Sequence, residues 1–304
     1  MIKKLDDIFE NLNQDKKVVL SVAAAEDREV LIAVKDAVKK QIVQPILVGN
    51  KEKIIEISED IDLKLDNIKI INCETMEESA EISVKLVSNN EADFVMKGLL
   101  DTSILLKSVL NKDYGLRTDS LLSHVMIYEM RSYHKLLLLT DGGMNIEPSY
   151  EQKEKILKNA IEASKPLGIE NLKIACITAK EKINSKMQAT LDAGLLKKAC
   201  EEGKFGENVV VEGPIAFDLA VSEKACKIKG YSSPVSGDAD VLLVPTIEVG
   251  NGIGKSFTYM ANAKSAGIIM GAKAPIVLVS RSDSYESKLY SIAYGALISK
   301  NKNK

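Results

Sequence analysis

A chain of 304 residues, 45% of them hydrophobic, can form one large or two ordinary domains, and its net charge of −2 excludes the basic field typical of nucleic-acid-binding proteins. Four cysteines without a CxxC pair and only two histidines argue against disulfides, a zinc cluster or any other Cys/His metal site. No apolar run approaches the roughly 20 residues of a membrane span, and the N-terminus lacks the apolar core of a signal peptide, so we expect a cytoplasmic protein.

Apolar runs alternate with helical spacings along the first hundred residues. Strands are predicted at residues 18–24, 45–48, 68–71 and 92–96, and helices at 27–40, 51–57 and 76–87. The repeated strand–helix order predicts an α/β fold, with a mostly parallel sheet covered by helices on both faces.

The segment 96–103, with the sequence MKGLLDTS, leaves the strand predicted at 92–96. Gly98 permits a close approach of the backbone to a ligand, and Lys97 and Lys107 could supply positive charge. Thr102 and Ser103 can cap a helix predicted at 104–110. The alternative is that Gly98 is an ordinary structural turn glycine.

The middle of the chain departs from this rhythm once. Strands predicted at 124–128 and 135–139 are so close in sequence that an antiparallel pair is expected. The polar, glycine-rich segment 140–145 predicts a domain junction. Beyond it, helices are predicted at 150–167 and 188–200, and strands at 173–178, 208–211 and 239–244.

The run from Gly250 to Lys255 predicts a glycine-rich turn, followed by a helix that ends at Ser265. It lacks both the GxxxxGK[ST] spacing of a nucleotide-binding P-loop and the full GxGxxG dinucleotide fingerprint. We therefore reject an NTPase and a dinucleotide dehydrogenase. A glycine turn and a lysine before a helix still favour a phosphorylated ligand.

The segment 275–291 carries the strongest signal. Its apolar run at 276–279 predicts a strand buried on both faces, and Asp283 with Glu286 matches a helix-capping box. Only four of the 41 basic residues are arginine, and Arg281 lies between this strand and this helix, where an anion would bind. The alternative is that Ser282, Asp283 and Ser284 only cap the helix and that Arg281 lies on the surface.

Six motifs recur in this order in one family: MKGLLDTS, GLR followed by SHV, LTDGGMN, VEGPIAFD, PTIEVGNGIGK and LVSRSDS. From about Val18 to Leu297 the chain resembles the phosphate acetyl/butyryltransferase family. The resemblance implies two three-layer α/β domains with mostly parallel sheets and an interdomain cleft, similar to the isocitrate/isopropylmalate dehydrogenases. It places residues 1–143 and 268–304 in a discontinuous first domain, and residues 144–267 in the second.

The resemblance also implies roles for individual residues. Ser280 and Arg281 match the catalytic Ser-Arg pair of the family. Acetyl-transferring relatives carry an acid at a position that is Ser287 here, and we expect Asp283, the carboxylate nearest to the Ser-Arg pair, to be the general base. The expected phosphate-binding residues are Arg131, Arg281, Lys107, Thr102 and Ser103. The expected residues for binding CoA or substrate are Lys97, Gly98, Gly250, Asn251 and Lys255.

The activity implied is reversible transfer of a short acyl group between CoA and inorganic phosphate. CoA is then a substrate, and neither a covalently bound cofactor nor a metal is expected. The motifs match the butyryl-transferring branch best. Acetyl transfer and a non-catalytic CoA- or acyl-phosphate-binding protein on the same scaffold are the alternatives. The expected partners are small molecules and further copies of the chain in a homo-oligomer, with neither nucleic acid nor a membrane.

Overall fold

The computed structural model describes residues 1–12, 17–279 and 283–302. The chain divides into two compact units. The first unit comprises Leu5–Ser120 and Ala266–Lys304, and the second unit comprises Met1–Lys4 and Leu121–Ser265. The domains predicted above differ from these units in where residues 1–4, 121–143 and 266–267 are placed, and they stay a prediction of domain organisation.

The secondary structure follows the predicted alternation. Residues 5–120 contain α1 (Asp7–Asn11), β1 (Val18–Ala23), α2 (Arg28–Lys39), β2 (Val43–Gly49), α3 (Lys51–Asp60), β3 (Lys69–Asn72), α4 (Met76–Ser88), β4 (Phe94–Lys97) and α5 (Thr102–Val109). The next 140 or so residues contain β5 (Ser123–Glu129), β6 (Leu137–Thr140), α6 (Tyr150–Ser164), a 3-10 helix (Lys165–Leu167), β7 (Leu172–Ile177), α7 (Gln188–Glu201), β8 (Val209–Ile215), α8 (Phe217–Val221), α9 (Glu223–Lys229), β9 (Val241–Leu243) and α10 (Ile247–Met260). The chain continues with β10 (Lys264–Met270), β11 (Ile276–Val277) and α11 (Tyr285–Lys302).

The sheet of the first unit has the strand order β3-β2-β1-β4-β11-β10. Its first five strands are parallel, and β10 is antiparallel to β11. The central strands β1 and β4 are almost wholly buried, with Leu20, Val22, Phe94 and Met96 fully shielded from solvent. Such continuous apolar runs are typical of strands covered on both faces.

The strand order reverses direction at β1 and β4. From β1 the chain steps outward to β2 and β3, and it then crosses back to β4 on the other side of β1. Because crossover connections between parallel strands are right-handed, α2 and α3 cover one face of the sheet and α4 covers the other. The carboxyl ends of β1 and β4 therefore form a topological switch point.

The sheet of the second unit has the order β5-β6-β9-β7-β8. Strands β6, β9, β7 and β8 are parallel, whereas β5 is antiparallel to β6, as predicted, with Met126 opposite Leu139. The hydrophobic core to which α10 contributes includes Leu242, Tyr128 and Phe257. The rings of Tyr128 and Phe257 pack edge to face, with their centroids 5.2 Å apart.

Two predictions near the C-terminus are wrong. The run from Gly250 to Lys255 is not a turn, because it lies inside α10, which begins at Ile247 and ends at Met260. The predicted helix end at Ser265 falls instead in a strand, β10. A β-carbon on Gly250 would lie 2.6 Å from the Cα atom of Gly142. Glycine at position 250 therefore lets α10 pack tightly against the loop after β6. The prediction took this glycine for part of a turn because the sequence alone does not show that contact.

Candidate active site

The candidate site lies at the switch point of the first unit. Strand β11 pairs in parallel with β4, with Ile276 opposite Val95 and Val277 opposite Met96. The loop that follows β4 and the segment that follows β11 therefore leave the same edge of the sheet. These are the two segments that the sequence singled out most strongly, and the sheet brings them together although about 180 residues separate them.

The backbone of Gly98 lies in close contact with the backbone at the end of β1. Its backbone N–H donates to the carbonyl of Ala23, and the N–H of Leu99 donates to the carbonyl of Ala24, each at 2.8 Å. A β-carbon on Gly98 would lie only 2.1 Å from the Ala24 oxygen. The close approach of the two backbones therefore requires glycine at position 98. This approach fixes the path of the loop at the switch point.

Lys97 ends β4 and is 6% exposed. Its Nζ atom donates to the carbonyl oxygens of Gly98 at 3.2 Å and Leu100 at 3.0 Å. The ammonium group thus holds the loop in shape. Lys107, by contrast, is an exposed residue in the last turn of α5.

The helix after this loop begins earlier than predicted. Thr102 is its first residue and Asp101 its N-cap, so Thr102 and Ser103 lie in the first turn and do not precede the helix. Thr102 is half-buried and Ser103 is exposed. Both hydroxyls remain at the edge where the loop residues lie.

The segment after β11 is described in part. Ser280, Arg281 and Ser282 lie outside the described residues, so the predicted catalytic pair falls there. Asp283 is half-buried and precedes α11 by two residues. The cap of α11 is Ser284, whose Oγ accepts from the N–H of Ser287 at 3.2 Å. The predicted Asp283–Glu286 capping box is therefore wrong by one residue, and the carboxylate of Asp283 is not the cap.

The predicted residues of the second unit lie at two different edges of its sheet. Gly250 and Asn251 are in the first turns of α10, after the carboxyl end of β9. Arg131 is exposed in the turn between β5 and β6, and because these strands are antiparallel this turn adjoins the amino end of β6. Lys255 is exposed, with its Nζ 5.8 Å from the ring centroid of Tyr259. Arg131 is thus not brought together with Gly250 and Asn251.

A buried aspartate was missed by the sequence reading. Asp141 is 3% exposed and follows β6, and its Oδ1 accepts from the N–H groups of Gly143 and Met144, each at 2.9 Å. Its Oδ2 accepts from the Nδ2 of Asn145 at 2.6 Å. The segment predicted as a domain junction is therefore a loop closed on itself within the second unit. The signal was present, since Asp followed by two glycines is a common pattern for such a turn.

A buried ion pair was missed as well. The Nζ of Lys153 in α6 lies 2.6 Å from the Oδ2 of Asp192 in α7, and both side chains are less than a tenth exposed. Gln188 donates to the other carboxylate oxygen of Asp192 at 2.7 Å. The spacing of apolar residues in α6 and α7 does not predict this ion pair, because each of the two charged residues occupies a buried position that an apolar residue could fill.

Within residues 1–12, 17–279 and 283–302, no group of His, Cys, Asp and Glu side chains is arranged to hold a metal ion. None of the described helices is long and apolar enough to cross a membrane.

Comparison with known proteins gives the family. A family model described as "Phosphate acetyl/butaryl transferase" matches residues 4–87 and 74–296. The chain belongs to this family. The resemblance drawn from the six motifs is confirmed, and with it the class of enzyme, an acyltransferase that uses phosphate.

Members of the family are similar over nearly the whole chain. A phosphate butyryltransferase from Clostridium acetobutylicum is 42% identical over 302 residues, which are 99% of this chain and 100% of the relative. A phosphate acetyltransferase from Thermotoga maritima is 40% identical, over 91% of this chain and 94% of the relative.

Solved structures agree. A branched-chain phosphotransacylase from Enterococcus faecalis superposes with a TM-score of 0.82 at 35% identity, over 93% of this chain and 99% of that chain. A 4-hydroxythreonine-4-phosphate dehydrogenase from Burkholderia phymatum superposes with a TM-score of 0.56 at 12% identity, over 93% and 99% of the two chains. The second likeness concerns the fold alone, and it agrees with the predicted dehydrogenase-like α/β class.

Proposed function

We propose that the chain catalyses the reversible reaction of butanoyl-CoA with inorganic phosphate to give butanoyl phosphate and CoA. The observation that carries this proposal is the 42% identity to a phosphate butyryltransferase along the full length of both chains. CoA takes part as a substrate and not as a bound cofactor. The segment 96–103, which is one of the six family motifs, lies at the switch point of the first unit and supports the same proposal, since such points bind ligands in open α/β sheets.

The chemistry requires a base and a place for developing negative charge. In the direction of acyl-CoA synthesis, the CoA thiol loses its proton and attacks the carbonyl carbon of the acyl phosphate. In our proposal Asp283 takes that proton, since it lies two residues before α11 on the segment that follows β11. Ser280 donates to the tetrahedral oxyanion, which then collapses with release of phosphate.

The phosphate needs compensation of its charge. In our proposal Arg281 supplies a bidentate guanidinium fork, supported by the hydroxyls of Thr102 and Ser103 and by Lys107. The predicted phosphate contact of Arg131 and the predicted substrate contacts of Lys97, Gly98, Gly250, Asn251 and Lys255 belong to the same proposal.

No covalent enzyme intermediate is part of the proposal. Three of the four cysteines are poorly suited to form one, because Cys73, Cys176 and Cys226 are buried. Burial raises the pKa of the Cys176 thiol to about 12, so that it is not a thiolate at neutral pH. Direct attack of the CoA thiolate on the acyl carbon is the simpler route.

Acetyl transfer is the second candidate, and the relative from Thermotoga maritima at 40% identity favours it. A thiol-release assay with phosphate and straight acyl-CoAs of two to five carbons separates the two. Each methylene in an apolar pocket contributes about 1–3 kcal/mol of discrimination, so butanoyl-CoA should exceed acetyl-CoA in kcat/KM by more than roughly tenfold. A preference for acetyl-CoA moves the chain to the acetyl branch, and no thiol release with any of them leaves a non-catalytic binding protein.

We also propose that the enzyme works in the cytoplasm as a homo-oligomer. The free thiols of the described cysteines support the first point, since a reducing compartment keeps thiols unpaired. Size-exclusion chromatography with light scattering tests the second, and a monomeric mass would refute it.

A further inference from the structure

Helix α11 carries a buried lysine close to the proposed site. Lys288 is the fourth residue of this helix, and it is 3% exposed. Its Nζ atom donates to the backbone carbonyl of Asp283, so the side chain reaches back past the start of the helix to the segment that follows β11. Lysine is almost never fully buried unless it is paired, so the partners of this ammonium group decide what it does.

The charge of Lys288 has no acidic partner. Within the described part of the chain, no carboxylate forms an ion pair with its ammonium group, and its hydrogen-bond acceptor is the neutral carbonyl of Asp283. An ammonium group has three N–H donors, so two of them remain for a ligand. The other buried lysines of the described residues are better satisfied: Lys97 donates to two carbonyl oxygens, and Lys153 is paired with Asp192.

A positive charge at this place is costly unless an anion joins it. Burial removes the ammonium group of Lys288 from water, and the N–H groups at the start of α11 add positive partial charge beside it. One neutral carbonyl offsets only part of that cost. A bound anion would offset both contributions, since it would contact the two remaining N–H donors and face the start of the helix.

The fold places Lys288 at the switch point of the first unit. On the same face of α11, seven residues later, a β-carbon on Gly295 would lie 2.9 Å from the ring of Phe94 and 3.0 Å from the side chain of Val277. Two helical turns span about 10 Å, and three strand residues span about the same length. Lys288 therefore lies level with Lys97 at the carboxyl end of β4, which is the edge of the proposed site.

We propose that Lys288 is a further catalytic residue, whose ammonium group binds the reacting phosphate. The proposal rests on the proposed function, and it adds a residue that neither the motifs nor the resemblance assigns. In the direction of acyl-CoA synthesis, the bond between the acyl carbon and the phosphate oxygen breaks, and its electron pair stays on that oxygen. Lys288 offsets the negative charge that develops there. In the opposite direction it holds the phosphate that attacks the acyl-CoA.

Two measurements test the proposal: the thiol-release assay, and isothermal titration of the CoA-saturated protein with inorganic phosphate. Lys288→Met removes the charge and keeps a long side chain, whereas Lys288→Gln also keeps a donor for the Asp283 carbonyl. The matched control is Lys39→Met, which removes the same charge from an exposed position in the last turn of α2. A parallel series uses butanoyl-pantetheine, because CoA carries phosphate groups of its own and this analogue lacks them.

We expect both Lys288 variants to raise the KM and the Kd for phosphate by about one to two decades, and the control to leave both within about twofold. The KM for butanoyl-CoA should not change, and the effect on phosphate should persist with butanoyl-pantetheine. The urea midpoint of Lys288→Met should not fall, since the substitution removes a buried charge that has no acidic partner.

A wild-type KM and Kd for phosphate in either Lys288 variant overturns the proposal. A fall in kcat with both KM values unchanged also overturns it, because Lys288 would then act only by holding Asp283 in place. An effect that disappears with butanoyl-pantetheine overturns it as well, because the ligand would then be a phosphate group of CoA. Failure of the proposed function is a different result, in which the wild type releases no thiol from any acyl-CoA.

Discussion

Replacing Gly98 with alanine tests how closely β4 and β1 approach at the candidate site. The new β-carbon would lie 2.1 Å from the Ala24 oxygen and 2.6 Å from the Ala23 oxygen, which are backbone atoms that cannot rotate away. The loop must therefore shift, and the two hydrogen bonds that Ala23 and Ala24 accept from Gly98 and Leu99 must lengthen. Overpacking costs about 1–3 kcal/mol and a weakened hydrogen bond about 1 kcal/mol more, so we expect a loss of about 2–4 kcal/mol in unfolding free energy.

The same shift should reduce catalysis, because the loop adjoins the proposed site. A displacement of about 1 Å can cost roughly a hundredfold in rate, so kcat/KM in the thiol-release assay should fall by one to two decades. The matched control is Gly252→Ala in α10, where no heavy atom lies within 4 Å of the new β-carbon. Alanine there should leave activity unchanged and raise helix stability by about 0.5–1 kcal/mol. If urea unfolding and kcat/KM of the Gly98 variant matched the wild type, the close approach would be wrong.

Substitutions at three further positions test other parts of the structure. Lys153→Met should lower the unfolding free energy by about 3–5 kcal/mol in urea denaturation, because Asp192 would stay buried without its partner; an unchanged midpoint would contradict the buried pair. Asp238→Asn should destabilise the protein at neutral pH, and since the pKa of Asp238 is lowered on folding, the difference from wild type should shrink as pH falls below about 4 in thermal unfolding; a difference independent of pH would refute this. Arg281→Lys should lower kcat/KM by about one to two decades and Arg281→Ala by more, with little change in Tm; wild-type turnover in Arg281→Ala would make that residue a bystander.

Local sequence patterns were sufficient to predict most of the helices and strands. Runs such as 18–24 and 276–279 are apolar without alternation because they are covered on both faces, and the structure has strands at both places. The antiparallel pair β5 and β6 followed from a short connection alone. Patterns of this kind depend on neighbours in sequence, which is why they could be read without the fold.

The errors arise where packing between distant residues decides the local structure. In α10, Gly254 leaves room for Tyr128, whose hydroxyl oxygen would lie 2.6 Å from a β-carbon at that position, and Gly250 leaves room for Gly142. These glycines allow close contacts between α10 and residues that are distant in sequence, and they do not form a turn. Strand β10 was missed because Ser265, Ala266 and Gly267, near its start, are small. The Gly267 N–H donates to the Ser291 Oγ of α11 at 2.9 Å.

From the residues alone the site was predicted as separate loops, and only the resemblance to the family placed these loops together. Which loops meet depends on the strand order, and the order places β11 beside β4 although the two are remote in sequence. The direction of β5 has the opposite effect, because it carries Arg131 to the amino edge of the second unit while Gly250 follows the carboxyl end of β9. Residue types suggested phosphate in both cases, and only strand order and direction separate the two edges.

The environment of Lys97 decides where the positive charge for a bound phosphate must come from. An ammonium group that is buried and already donates to two carbonyls would have to break those bonds to reach an anion, at a cost in a poorly solvated position. Lys107 is free of that constraint, but it lies five residues beyond the start of α5, about 7.5 Å further along the helix axis. Arg281 is the remaining cation that the resemblance to the family assigns to the phosphate. We therefore expect the loss of Arg281 to raise the KM for phosphate more than the loss of Lys107.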